Sequence, residues 1–149
     1  MTVEYRRRPQ LPNEQLGDLL EPETPLRDRQ DYEQVLSRSL TWIGAFDDGR
    51  LVGYANVAWD GGVHAFLLDP TVHPALRHRG IGTRLVKEAL AAVAEHPEIE
   101  WVHVDSSQEL MDRFYFPAGF RPTAAGLVRV QDIRADRTSR GGSEPTVAR

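Results

Sequence analysis

The period of the hydrophobic pattern changes along the chain, and each change predicts an element. Residues 2–6 suit a short strand, and NEQLGDLL (13–20) predicts one or two helical turns before the breakers Pro22 and Pro25. Asp31 or Asp28 can cap a further helix reaching Leu40, with Tyr32, Val35, Leu36 and Leu40 on one side. TWIGAF (41–46), the turn DDGR (47–50) and LVGYANVAW (51–59) then read as a hairpin. A second turn, DGG (60–62), leads into VHAFLLDPTV (63–72), which completes a three-strand antiparallel meander.

From Gly80 the period becomes helical: Ile81, Leu85, Val86, Ala89, Leu90 and Val93 share a stripe, and His96-Pro97 ends it. WVHVD (101–105) is a strand that returns after this helix, so it should lie parallel to the strand ending at Val72. Leu110, Met111, Phe114 and Tyr115 suit a short helix stopped by Pro117 and Gly119. Phe120–Pro122 and Leu127–Gln131 are expected to be closing strands. The predicted class is α/β of the α+β type: one domain over residues 1–133, with a central mixed sheet, an antiparallel N-terminal meander and flanking helices. Residues 134–149 (RADRTSRGGSEPTVAR) have almost nothing to bury and are expected to form a disordered tail.

Composition narrows the chemistry. A chain of 149 residues fits one domain with its own core. It contains no cysteine, which excludes disulfides, thiolate metal sites and a cysteine nucleophile. Its five histidines (64, 73, 78, 96 and 103) form no i, i+4 pair on a helix, so no metal centre is expected. The three arginines of MTVEYRRRPQ are followed by no apolar leader, and no run approaches the length of a membrane span; the expectation is a soluble, cytoplasmic protein with no membrane partner. A net charge of -4 argues against general nucleic-acid affinity.

One stretch stands apart. VHPALRHRGIGTRL (72–85) joins three basic residues to two glycines at a strand-to-helix junction. Gly80, Ile81, Gly82 and Thr83 fall at the helix start, where backbone N–H groups lack intrahelical partners and the dipole is positive. Glycine lets an anion reach the backbone, while Arg77 and Arg79 can add charge-assisted hydrogen bonds. A glycine turn flanked by surface arginines accounts for the same residues without a ligand. A Walker loop is excluded because IGTRLV follows Gly80, and a Rossmann fingerprint because Leu85 stands where a third glycine is needed.

The spacing of Val72, Arg77, Gly80 and Gly82 resembles V-x-x-x-x-[QR]-x-x-G-x-[GA], the pyrophosphate-binding signature of the GNAT superfamily of acyl-CoA-dependent N-acetyltransferases. FYFPAGF (114–120) resembles the family's Y-x-x-x-G-F near the chain end, and the resemblance covers roughly residues 3–131. It implies that the strand before the loop bends at a bulge and splays from its parallel neighbour, leaving a slot for pantetheine. Pro70 suits such a bulge, though a strand ending at Asp69 explains it equally. By resemblance, backbone groups around Thr71 and Val72 meet the pantetheine of acetyl-CoA, and the backbone from Arg77 to Thr83 (Arg77, His78, Arg79, Gly80, Ile81, Gly82, Thr83) holds the pyrophosphate.

The implied reaction is transfer of acetyl from acetyl-CoA to a primary amine, on a small molecule or peptide, within a ternary complex. Tyr115 stands where the family often places the general acid that protonates the leaving sulfur, although the run Phe114-Tyr115-Phe116 also suits a core. The backbone N–H of Val72 is a candidate oxyanion donor. Asp69, His103 and Asp105 flank the implied slot, and the base is open among them. Two departures bear on Tyr115: Gln108 stands where many relatives have Asn, and Pro117 interrupts the Y-x-x-x-G-F turn. Glu21, Glu23, Asp28, Asp31 and Asp60 offer an acidic rim for a cationic acceptor, which solvated helix faces also supply. A non-catalytic CoA-binding sensor or scaffold is the alternative function, and the sequence leaves a homodimer open.

Overall fold

A computed structural model of the protein describes residues 2–139. Five strands, β1 (Val3–Arg7), β2 (Ser39–Asp47), β3 (Arg50–Trp59), β4 (His64–Val72) and β5 (Trp101–His103), form one sheet in that order. Neighbours from β1 to β4 are antiparallel and β5 runs parallel to β4, so the sheet is mixed. At the DDGR turn Asp48 and Gly49 both take positive φ (47° and 77°), the pairing that lets a two-residue loop follow the twist of its strands.

Each face of the sheet has its own cover. Helix α3 (Ile81–Val93) lays Ile81, Leu85, Val86, Ala89 and Val93 on one face, against Ile43, Ala55, Val57 and Leu67. Gly53 permits this approach, since a Cβ there would come within 2.9 Å of Leu85 Cδ1. Leu85 is wholly buried, and truncating such a side chain costs about 2 to 5 kcal/mol. Helices α1 (Asn13–Leu20) and α2 (Tyr32–Ser37) cover the other face through Leu16, Leu19 and Tyr32, packed with Leu51 and Tyr54. The Asp31 carboxylate caps α2 by accepting the Gln34 N–H at 3.3 Å. That helix stops at Ser37, not at Leu40: Ser39 already pairs with Ala58, and Leu40 packs on the main core as a strand residue.

Beyond β5, α4 (Gln108–Leu110) runs without a break into a π-helical turn, Met111–Tyr115. The expected closing strands are not formed. Residues 121–129 carry no regular structure, and α5 (Val130–Ser139) is a helix with no buried residue. Pro122 cannot donate to a ladder and β5 offers an edge of only three residues, so pairing there has little to gain. Leu127 and Val128, 89% and 66% exposed, gain no burial from staying extended. In α5, Asp132 in the first turn and Arg137 in the last instead match the helix dipole. The expected domain boundary at residue 133 falls inside α5. Residues 134–139, expected to be disordered, continue that helix, and the remainder of the expected tail lies outside the described residues. Among the described residues no helix is long and apolar enough to cross a membrane.

Candidate active site

The site begins with a register shift. Tyr54 of β3 pairs with Thr71 and Asn56 pairs with Leu68, so Asp69 and Pro70 together oppose the single residue Ala55. This is a β-bulge, with Asp69 at φ 53° and Pro70 where no ladder donor is required. The strand does not end at Asp69 but continues to Val72. On its other edge β4 pairs with β5 only through His64, Ala65 and Phe66; beyond Phe66 and His103 the two chains part. A cavity of about 940 Å³ opens there, with Phe66, Leu68, Val104, Asp105, Met111 and Phe120 in its lining. The cavity reaches around the end of β5 and is not lined by residues 77–83 or Tyr115.

The basic loop follows β4 directly. His73 caps a 3-10 turn, Pro74–Leu76, by accepting the Ala75 N–H at Nδ1, 3.2 Å away. His78 and Gly80 take left-handed φ values of 63° and 80°. Gly80 is the residue preceding α3, and the helix's first bond runs from Arg84 N–H to Gly80 C=O. No side chain caps the N–H groups of the first turn, which includes Ile81, Gly82 and Thr83. Arg77 turns back so that its Nε donates to the Val72 carbonyl at 3.4 Å. The two glycines differ in kind: Gly80 is required by its backbone, whereas a Cβ at Gly82 would make only ordinary contacts, 3.4 Å to Phe114 and 3.6 Å to Val72. Internal crowding therefore does not account for Gly82.

Tyr115 ends the π turn. It is 5% exposed, in edge-on contact with Phe114 (4.9 Å) and Phe120 (5.6 Å), and burial pushes its phenol above the ordinary value. Pro117 explains the wide turn: the last bond is Phe116 N–H to Met111 C=O at 2.7 Å, five residues back, and Pro117 itself has no N–H to continue an α-helical ladder. Gly119, at φ 105°, then lets Phe120 N–H return to the Tyr115 carbonyl. Gln108 ties down the same segment by donating to Asp112 at 2.8 Å.

The candidate bases separate in space. His103 is the last residue of β5 to pair, stacked on Phe66 with ring centres 4.9 Å apart. Its Nε2 lies 2.8 Å from Nδ1 of His64, a residue that the sequence reading passed over; only the β4–β5 register, set by the crossover through α3, brings the two together. Asp69 is exposed on the bulge; burial pushes the phenols of Tyr54 and Tyr32 upward, with the Asp69 charge adding at Tyr54 and, at Tyr32, Glu21 adding more than Asp69 does. Asp105 is exposed beyond the end of β5 and lines the cavity.

Of the acidic rim, several members hold the chain. Glu21 accepts from Tyr32 Oη at 2.5 Å and from Gln30 N–H at 2.9 Å, bonds that keep its carboxyl below the usual range. Asp31 caps α2, and Asp60 accepts the Gly62 N–H across the second turn. Asn56, 1% exposed beside Tyr54 on β3, has a buried Oδ1 with no hydrogen-bond partner among the described residues. No sequence pattern marks it, because an asparagine in LVGYANVAW is just as readily a surface residue of a strand.

The chain thus combines a mixed sheet, a parallel strand pair that parts after three residues, and a basic loop with a left-handed glycine at the start of α3. The match to the model of the Acetyltransferase (GNAT) family over residues 8–120 is consistent with this, and the chain belongs to that family. A mycothiol acetyltransferase of Nocardia farcinica is 48% identical over 58 residues, covering 39% of this chain and 19% of that protein. One from Mycolicibacterium vanbaalenii is 33% identical over 95 residues, 64% of this chain; the chain thus spans about a fifth to a quarter of the curated relatives it matches, 19% and 28% of their lengths. Among solved structures, a GNAT family acetyltransferase of Streptococcus pneumoniae superimposes with a TM-score of 0.70 at 25% identity, over 86% of this chain and 97% of that one. An aminoglycoside N-acetyltransferase in complex with CoA shares the fold at a TM-score of 0.65 and 21% identity, over 86% of this chain and 93% of its own.

Proposed function

We propose that the protein moves an acetyl group from acetyl-CoA directly to a primary amine while both are bound. The observation that carries this reading is that β4 parts from β5 after Phe66 and runs on through its bulge to the basic loop with the left-handed turn at Gly80. In the proposal, N–H groups of residues 77–83 and the Arg77 and Arg79 guanidinium groups hold the pyrophosphate, and the backbone at Thr71 and Val72 meets the pantetheine. The amine nitrogen attacks the thioester carbonyl, whose oxygen gains negative charge and takes a hydrogen bond from Val72 N–H. As the C–S bond breaks, Tyr115 Oη donates its proton to the sulfur, and a base removes the proton from nitrogen.

His103 is assigned as that base over Asp69 and Asp105, because it stands where the strands part and because imidazole takes up protons near neutral pH. The chain has no cysteine to carry an acyl-enzyme, which favours direct transfer. The aminoglycoside acetyltransferase among the fold relatives supports an amine acceptor. The test is a panel of amino sugars, polyamines, amino acids, aminoglycosides and lysine peptides with acetyl-CoA, followed by free thiol release and mass spectrometry. An N-acetyl product formed in step with thiol is expected; thiol release equal with and without every amine contradicts the reading.

A further inference from the structure

We infer that His64 is a positioning residue that fixes the ring and the tautomer of His103 for proton abstraction, an inference that rests on His103 being the base. Two contacts hold the His103 ring. Phe66, its direct partner across the β4–β5 pair, stacks on it with 19° between the planes, and His64 Nδ1 meets its Nε2 at 2.8 Å. His64 is itself anchored at the start of β4: the Asp60 side chain accepts its N–H at 3.4 Å, and its carbonyl accepts the Asp60 N–H at 3.3 Å. The hydrogen bond between the rings is therefore held at both ends by backbone.

Two neutral imidazoles can share this bond in two ways, and only one leaves a base. If His64 Nδ1–H donates, His103 Nε2 accepts and the proton of His103 sits on Nδ1, so both of its nitrogens are occupied. If His103 Nε2–H donates, His64 carries its own proton on Nε2 and His103 Nδ1 keeps a free lone pair. Proton transfer favours the second arrangement. When His103 Nδ1 takes the proton from the acceptor nitrogen, the ring becomes a cation and its Nε2–H bond to neutral His64 becomes charge-assisted, hence stronger. No proton passes to His64, because a second charge would set two imidazolium rings against each other at 2.8 Å.

The experiment uses the full chain with His64→Phe, His64→Asn and His103→Gln. Asn places an amide oxygen near the position of Nδ1, so it keeps an acceptor for His103, whereas Phe keeps only the ring. First, ¹⁵N NMR of the imidazoles in the free protein near pH 8 is expected to show His103 protonated at Nε2 and bare at Nδ1, and to show mixed tautomers in His64→Phe. Second, with acetyl-CoA and the panel amine that turns over fastest, His64→Phe should lower kcat about 10-fold or more, the weight of a hydrogen bond to a charged group, with KM for acetyl-CoA unchanged. His64→Asn should restore most of that loss. A wild-type His103 bearing its proton on Nδ1 overturns the inference without any variant. Full kcat in His64→Phe, or equal loss in Phe and Asn, overturns it while leaving the base assignment standing if His103→Gln is impaired. Full kcat in His103→Gln overturns the base assignment and the inference together.

Discussion

At Tyr115 one oxygen atom separates two roles. Tyr115→Phe keeps the ring that meets Phe114 and Phe120 edge-on and removes only the hydroxyl. If that hydroxyl protonates the sulfur, kcat should fall by about 10- to 100-fold with acetyl-CoA affinity and stability nearly unchanged; full kcat in the variant contradicts the acid role. Burial raises the phenol above its ordinary value, so the acid form persists throughout the neutral range, and any loss of rate from its ionisation should appear only at a pH above that at which an ordinary phenol ionises. In the loop, Gly82→Glu puts a carboxylate where the phosphate belongs and should abolish CoA binding in calorimetry while the fold survives. Arg77→Ala should weaken CoA by about 1 to 3 kcal/mol, since its guanidinium adds charge-assisted bonds to a site made largely of backbone. The shape of the loop was legible in the sequence because it is local: a strand end, a glycine and a helix start follow one another along the chain. The pairing of His64 with His103 was not, because residues 39 apart meet only through the register of two strands.

Among the elements, β3 carries an unfavourable group. The buried Oδ1 of Asn56 has no partner among the described residues, and such a group costs roughly 1 to 3 kcal/mol. Asn56→Val removes that cost and suits a strand, so it should raise Tm by about 2 to 12 °C, as calorimetric scanning would show; a lower Tm would mean that the amide makes bonds that stabilise the fold. At the other end of the chain, α5 buries none of its residues. Truncation after Arg129 should therefore leave Tm within about 5 °C of the full chain, and a larger drop would show that the removed segment packs on the domain. The meander and α3 followed from period and turn chemistry, and the structure adds the positive φ of Asp48 and Gly49 at the DDGR turn. The closing strands failed as an expectation because Leu127–Gln131 has strand-like composition but only the three-residue edge of β5 to pair with. A strand needs a partner, and sequence pattern alone does not supply one.

For the whole molecule, the two faces of the sheet divide the work. Helix α3 packs the main core and carries the proposed anion site at its start, while α1 and α2 cover the other face through Leu16, Leu19 and Tyr32. In the proposed reaction acetyl-CoA joins the two, with its pyrophosphate at residues 77–83 and its thioester between the strands. The central claim is that the site transfers acetyl, and not merely that it holds CoA. Single-turnover mixing of excess protein with acetyl-CoA and each panel amine measures this directly. The account predicts one N-acetyl product and one free thiol per acetyl-CoA with at least one amine, both slowed in Tyr115→Phe. Tight, stoichiometric binding of acetyl-CoA with no acetylated amine anywhere in the panel would contradict it and leave a CoA-binding sensor in its place.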